Sequence, residues 1–312
     1  MIRSIIYLDE PKLLSLSSQV LEGLTEYLLT EKTSSKEQQE KQKGPIASGR
    51  ELADAIRSTE TSVERRVLHD HAFSMFERKL TDNQVLLDVP TGNEQAVTIS
   101  SIDASSFIRV QGPAKFIDAA KLSALLKVFN SLGESITYVT KNEEMKALSK
   151  ALDDLKAVTK DKVKLAQITK QQKEATDPGL LAQAAGLYQD PKFLEHLRIL
   201  TTFGFSDQLE IQQKIDGILY TACLKRECLR EAEDLVIRKY SRKTEKSLVV
   251  LGLVTQTASD GPVDLGASDS KPENMKEALI NMIDHIAMME ASLSGKSNKE
   301  VIIDPIAVYV SL

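Results

Sequence analysis

Apolar positions recur along the chain in two periods, and the points where one gives way to the other mark its elements. Ile2, Ile5, Ile6, Tyr7 and Leu8 form a short β-branched and aromatic run suited to a strand. Helical spacing follows, because at about 100° per residue Leu13, Leu16, Val20, Leu21, Leu24, Tyr27 and Leu28 gather on one stripe. Asp9 or Glu10 stands at the N-cap of this helix, and Pro11 sits in the first turn where its missing N–H costs nothing. Ser17 inside the stripe and Gly23 mid-helix suit close approach by a neighbouring element.

The period then lapses. Residues 31–47, beginning EKTSSKEQQEKQKG, are too polar to offset the entropy of ordering and read as a mobile linker. Ser48 with Glu51 and Thr61 with Glu64 make capping boxes, the second opening the helix SVERRVLHDHAFSMFERKL. Between residues 84 and 140 the period shortens. QVLLDV and QAVTISSI flank the turn PTGNE as a hairpin, and FIRVQGPAKFID is a strand broken at Gly112-Pro113. Asp118 caps a helix that Gly133 ends, and SITYVT reads as a further strand.

Residues 142–176 are charged and helical, Asp177-Pro178-Gly179 breaks them, and Asp190-Pro191 starts another helix. The last hundred residues carry the strand-like runs GILYTACLK, DLVIRKYS and SLVVLGLVTQ, the third apolar on both faces and therefore central. A capping box at Ser270 and Glu273 opens a helix whose Met275, Leu279, Met282, Ile283, Ile286, Met289 and Leu293 form a stripe expected to cover a sheet. In VIIDPIAVYVSL, Pro305 limits pairing on one side. The pattern as a whole is α+β. It predicts a small N-terminal α+β domain at residues 1–140, a helical middle segment at 141–206, and a C-terminal, mostly antiparallel sheet covered by a helix at 207–312.

Composition narrows the chemistry more than the fold. At 312 residues the chain can hold two or three cores. It lacks a twenty-residue apolar run, which excludes a membrane-spanning helix, and Asp9, Glu10 and Pro11 interrupt any signal peptide, so a cytoplasmic location is expected. Cys223 and Cys228 read as free thiols, too few for a zinc site. His69-Asp70-His71 is the string most like a metal motif, but helix neighbours two apart point about 160° from each other, so both histidines cannot face one ion. His69 falls among Leu68, Phe73, Phe76 and Leu80 as a core or edge histidine. Gly112 has no companion glycines and makes no phosphate loop. No cofactor, metal or catalytic residue is therefore assigned.

Several segments together carry a resemblance. YLDEPKLLSLSSQVLEGLTEY, VLHDHAFSMFERKL, FIRVQGPAKFIDAAKL, LKRECLREAEDLVIRKYSRKTEKSLVVLGLVTQ and the terminal DPIAVY, in that order, resemble the uncharacterised bacterial domain-of-unknown-function family 6414, whose members begin with a YLDE-type strand leading into a helix. The resemblance implies a bacterial cytosolic protein in defence-type or mobile-element surroundings, antiviral defence among them. It brings no active site with it.

Three readings of function follow. A non-catalytic accessory or scaffold protein, acting through protein–protein contacts, fits the net charge of −5 and the helical middle segment. A phosphate or nucleic-acid binding module is the alternative. It rests on the basic stretch from Lys225 to Lys246, where Arg238 and Tyr240 would share one strand face beside Arg242 and Lys243. An enzyme would have to draw on Asp9, Glu10, His69 and Asp118, gathered from distant segments.

Overall fold

The computed structural model describes residues 2–20, 62–90, 97–257 and 274–312. The expected linker at 31–47, the capping boxes at Ser48, Thr61 and Ser270, the first stripe beyond Val20 and most of the PTGNE turn lie outside the described residues. The chain is α+β and divides into two compact units, residues 1–117 with 208–312, and residues 118–207. Where the pattern predicts three domains in chain order, the two ends share one unit. The reason is a strand pair: β1 (Arg3–Leu8) runs antiparallel to β8 (Glu300–Ser311).

In the first unit β1 leads into α1 (Glu10–Val20), and α2 (Ser62–Asp82) precedes β2 (Leu86–Pro90). The expected hairpin after β2 is replaced by a crossover. Thr98 caps the short α3 (Ile99–Asp103), whose buried Ile102 anchors the connection, and β3 (Phe107–Gly112) then runs parallel to β2. β4 (Lys115–Asp118) ends this half, and β5 (Leu209–Ile215), β6 (Ile218–Leu224), β7 (Leu248–Gln256) and β8 supply the remainder. The strand order is β2-β3-β7-β8-β6-β5-β4, with β1 added to β8. Since β3 and β4 are successive pieces of one stretch, the last strand of this path is covalently joined to its second, and the sheet closes on itself.

The break at Gly112-Pro113 has a local remedy. Gln213, buried on β5, donates its Nε2 to the carbonyls of Gly112 at 2.8 Å and Leu248 at 2.9 Å. Thr244 Oγ1 accepts the Ala114 amide at 2.8 Å and donates to the Lys246 carbonyl. Ladder groups that the proline strands are thus satisfied by side chains, as buried backbone groups require.

Two apolar layers hold the sheet. Inside the closure lie Ile108, Val110, Ile211, Tyr220, Val250 and Val308. Outside it, Leu13 of α1 and Phe73, Phe76 and Leu80 of α2 pack on Val249, Leu251 and Tyr309. Phe73 meets Tyr309 edge-on at 5.7 Å between ring centroids. β7 is therefore covered on both faces, as its apolar run predicts. The covering helix, however, is α2. The C-terminal helix α9 (Met275–Ser294), capped by Asn274, keeps most of its apolar stripe exposed.

The second unit is all helix: α4 (Ala119–Val158), α5 (Lys162–Thr176), α6 (Pro178–Ala184) and α7 (Pro191–Phe205). Each opens on an aspartate, Asp118, Asp161, Asp177 or Asp190, whose carboxylate accepts an amide of the first turn. α4 runs through both Gly133 and SITYVT, where a helix end and a strand are expected. Gly133 is there for proximity rather than termination, since a Cβ would come within 1.9 Å of the Leu187 carbonyl oxygen. Thr137 and Thr140 donate their hydroxyls to the carbonyls of Gly133 and Ile136, which accommodates β-branched residues inside the helix.

Replacing Gln213 by alanine leaves two buried carbonyls without a donor and should cost about 2–3 kcal/mol. Urea unfolding should show this as a lower midpoint with an unchanged slope.

Candidate functional site

The acidic pair at the head of α1 is an architectural junction. Asp9, 1 % exposed, is the N-cap: its Oδ1 accepts the Lys12 amide at 3.1 Å. Its Oδ2 takes two ammonium groups, Lys225 at 2.9 Å and Lys12 at 3.1 Å, and Lys12 also reaches Asp304 and the Pro305 carbonyl on β8. Glu10 lies 2.9 Å from His69 Nδ1 and accepts Arg230 at 2.7 Å, while Arg230 spans to Asp70 at 2.7 Å. His69 and Asp70 thus meet the acidic pair, with Arg230 bridging Glu10 and Asp70. Among the described residues no cluster of metal-ligating side chains occurs.

Burial works against ionisation of Asp9, but the hydrogen bonds from Lys225 and Lys12 outweigh it and hold the carboxyl below its ordinary range. Glu10 is lowered in the same way, with His69 and Arg230 overcoming the burial. At Asp70 burial prevails over Arg230 and His69, and the pKa rises. Burial likewise raises the Cys228 thiol, which disfavours a thiolate nucleophile.

A second network went unseen in the sequence. Glu77 of α2 is buried, accepts Arg109 at 2.8 Å and the Tyr309 hydroxyl at 2.6 Å, and pairs with Arg3. Arg109 in turn grips Asp88 with Nε and a terminal nitrogen. These groups line a cavity of about 300 Å³. Two guanidiniums face two carboxylates there, so no charge is left to attract an ionic ligand. The sequence signal was a glutamate inside the apolar stripe of Phe73, Phe76 and Leu80.

The basic stretch is arranged differently from expectation. DLVIRKYS belongs to a helix, α8 (Glu233–Tyr240), so Arg238 and Tyr240 project about 160° apart and share no face. Tyr240 packs against the sheet interior, whereas Arg242 and Lys243 follow in the segment that bridges β4, with the Arg242 carbonyl accepting the Phe116 amide at 2.8 Å. Lys225, Arg226, Arg230 and Lys239 are all held in ion pairs with acids of the same unit. Asp118, the remaining candidate, caps α4 through the Lys121 amide.

The helical unit presents an exposed apolar surface. α4 and α7 pack antiparallel, as Ser123 beside Thr202 and Asn130 beside Gln189 show. Their buried lines pass through Leu126 and Leu194. Leu122, Leu125, Leu132 and Ile136 lie roughly 40–120° to one side of Leu126, and Phe193, Leu197 and Leu200 roughly 60–120° to the same-handed side of Leu194. In an antiparallel pair equal offsets fall on one side, so these seven exposed residues make one continuous strip.

Asp9→Ala should cost about 2 kcal/mol, since it removes the helix cap and one acceptor of Lys12, which keeps Asp304, and frees the half-exposed Lys225 to solvent. Glu10→Ala, at a more exposed carboxylate, should cost about 1 kcal/mol. Because the folded pKa of Asp9 is depressed, its contribution is present above about pH 4, the ordinary carboxylate value, and is lost as the pH falls through the folded value. Thermal unfolding across pH 2.5 to 7 should therefore show a flatter acid limb for Asp9→Asn than for the parent.

No curated protein and no solved structure matches the chain. A family model does, over residues 2–309, which takes in both units and both ends of the sheet. The chain belongs to the family described as Domain of unknown function (DUF6414).

Proposed function

We propose that this protein is a non-catalytic accessory or scaffold protein that acts through protein–protein contacts, with the helical unit as its contact surface. The observation that carries the reading is the strip formed by Leu122, Leu125, Leu132 and Ile136 of α4 with Phe193, Leu197 and Leu200 of α7. Contiguous exposed apolar surface of this kind marks interaction sites in folded proteins. Two phenylalanine-or-leucine lined helices side by side suit a partner helix or loop with apolar anchors. The state of Asp9, Glu10 and Asp118, each engaged in a cap or ion pair, with His69 buried 2.9 Å from Glu10, supports a structural and not a chemical use of those groups. The bacterial cytoplasm, and defence-type surroundings, are the setting that the family resemblance suggests for it.

Affinity capture with the full chain from a lysate of its source tests the reading. A specific protein should co-purify with the parent and fall at least about tenfold with Leu125→Glu combined with Leu200→Glu, two exposed positions whose change leaves the melting temperature unaltered. Equal recovery by parent and variant would refute it. So would turnover of nucleotides, esters or nucleic acid by the parent that disappears with Asp9→Asn.

A further inference from the structure

We infer that α9 is a self-association element, pairing antiparallel with α9 of a second copy of this chain. Its apolar positions step by four and three without interruption: Met275, Leu279, Met282, Ile286, Met289 and Leu293. That is a heptad seam, with Leu279, Ile286 and Leu293 at a and Met275, Met282 and Met289 at d. All but Leu293 are exposed, Met282 at 62 %, and Ile283, which flanks the seam at an e position, is 63 % exposed. A helix this apolar on one side gains nothing from remaining bare in water.

The charges choose the occupant and its direction. Reversing one helix against its twin sets every a residue opposite a d residue: Met275 meets Leu293 of the second copy, Leu279 meets Met289, and Met282 meets Ile286. The same reversal brings e positions beside e positions, because each flank stays on its own side of the seam. Lys276 and Glu290, both exposed e residues, then face each other twice by symmetry, and Ile283 meets its counterpart at the centre. In a parallel pair Lys276 and Glu290 stay two heptads apart and cannot meet. A lipid surface fits poorly, since α9 carries one lysine against three acids, Glu277, Asp284 and Glu290, where interfacial helices carry basic faces. This surface lies on the sheet-containing unit, so the inference stands or falls independently of the strip on α4 and α7.

Sedimentation equilibrium of the full chain over a concentration series tests it. The parent should form a dimer, and Met282→Glu with Ile286→Glu, both at exposed positions, should give a folded monomer with the parent's far-UV circular dichroism. Lys276→Glu should weaken the dimer about tenfold, and adding Glu290→Lys should restore it to within about threefold of the parent, a rescue only the antiparallel arrangement provides. A parent that is monomeric throughout, a dimer indifferent to the Met282 and Ile286 changes, or absence of rescue would each overturn the inference. Co-sedimentation of a monomeric parent with vesicles of phosphatidylcholine and phosphatidylglycerol, abolished by the same double change, would reassign the face to membrane and likewise overturn it.

Discussion

The pairing of β8 on both of its edges is the constraint on which the first unit depends. One edge lies along β7 for its length, while the other is divided, Glu300–Ile303 taking β6 in parallel and the stretch after Pro305 taking β1 antiparallel. Pro305 sits at the changeover, where no N–H is available to either neighbour. Gly252 faces it across a bulge, and there a Cβ would come within 2.5 Å of the Asp304 carbonyl oxygen. Because β1 enters the sheet through β8, both ends of the chain fall in one core. The helical unit is therefore an insertion between β4 and β5.

The buried charges serve the same closure. Asp9 joins the end of β1 to Lys225 after β6 and, through Lys12, to Asp304 on β8. Glu77 joins α2 to β1 through Arg3, to β3 through Arg109 and to β8 through Tyr309. Apolar packing is tolerant of small sliding, whereas a carboxylate with three donors is satisfied in one register only. These networks therefore specify which strand lies where, at an energetic return reduced by desolvation.

Much of this was legible in the chain. The β1 run, the Asp9 cap, the double-faced β7 and the aspartates that open α4 and α7 follow from period and local hydrogen bonding, which neighbouring residues decide. The failures have a common origin in context. Val236 and Ile237 read as strand by β-branching, though Glu233 and Asp234 before them and Arg238 and Lys239 after them give the helix-dipole charge order that marks α8. Gly133 reads as a stop because glycine at helical spacing usually is one, and only the approach of Leu187 from another helix explains its place. Gln213 alternates with Leu209, Ile211 and Ile215 as though it were apolar, and its partners are more than thirty residues away. The stripe of α9 was visible, but a period cannot say whether the surface opposite belongs to the same molecule.

The placement of β1 also sets a schedule. In synthesis, Arg3–Leu8 is made roughly 300 residues before its ladder partner on β8, an interval that at ribosomal speeds takes about 15 to 60 seconds. During that interval the stretch Ile5, Ile6, Tyr7 and Leu8 is an unpaired apolar strand. Residues 118–207, whose contacts lie within their own unit, are made in that interval and need neither β1 nor β8. A strand made early and paired late leaves an unpaired partner in the nascent chain, the kind of surface through which chains associate wrongly until a ladder covers it.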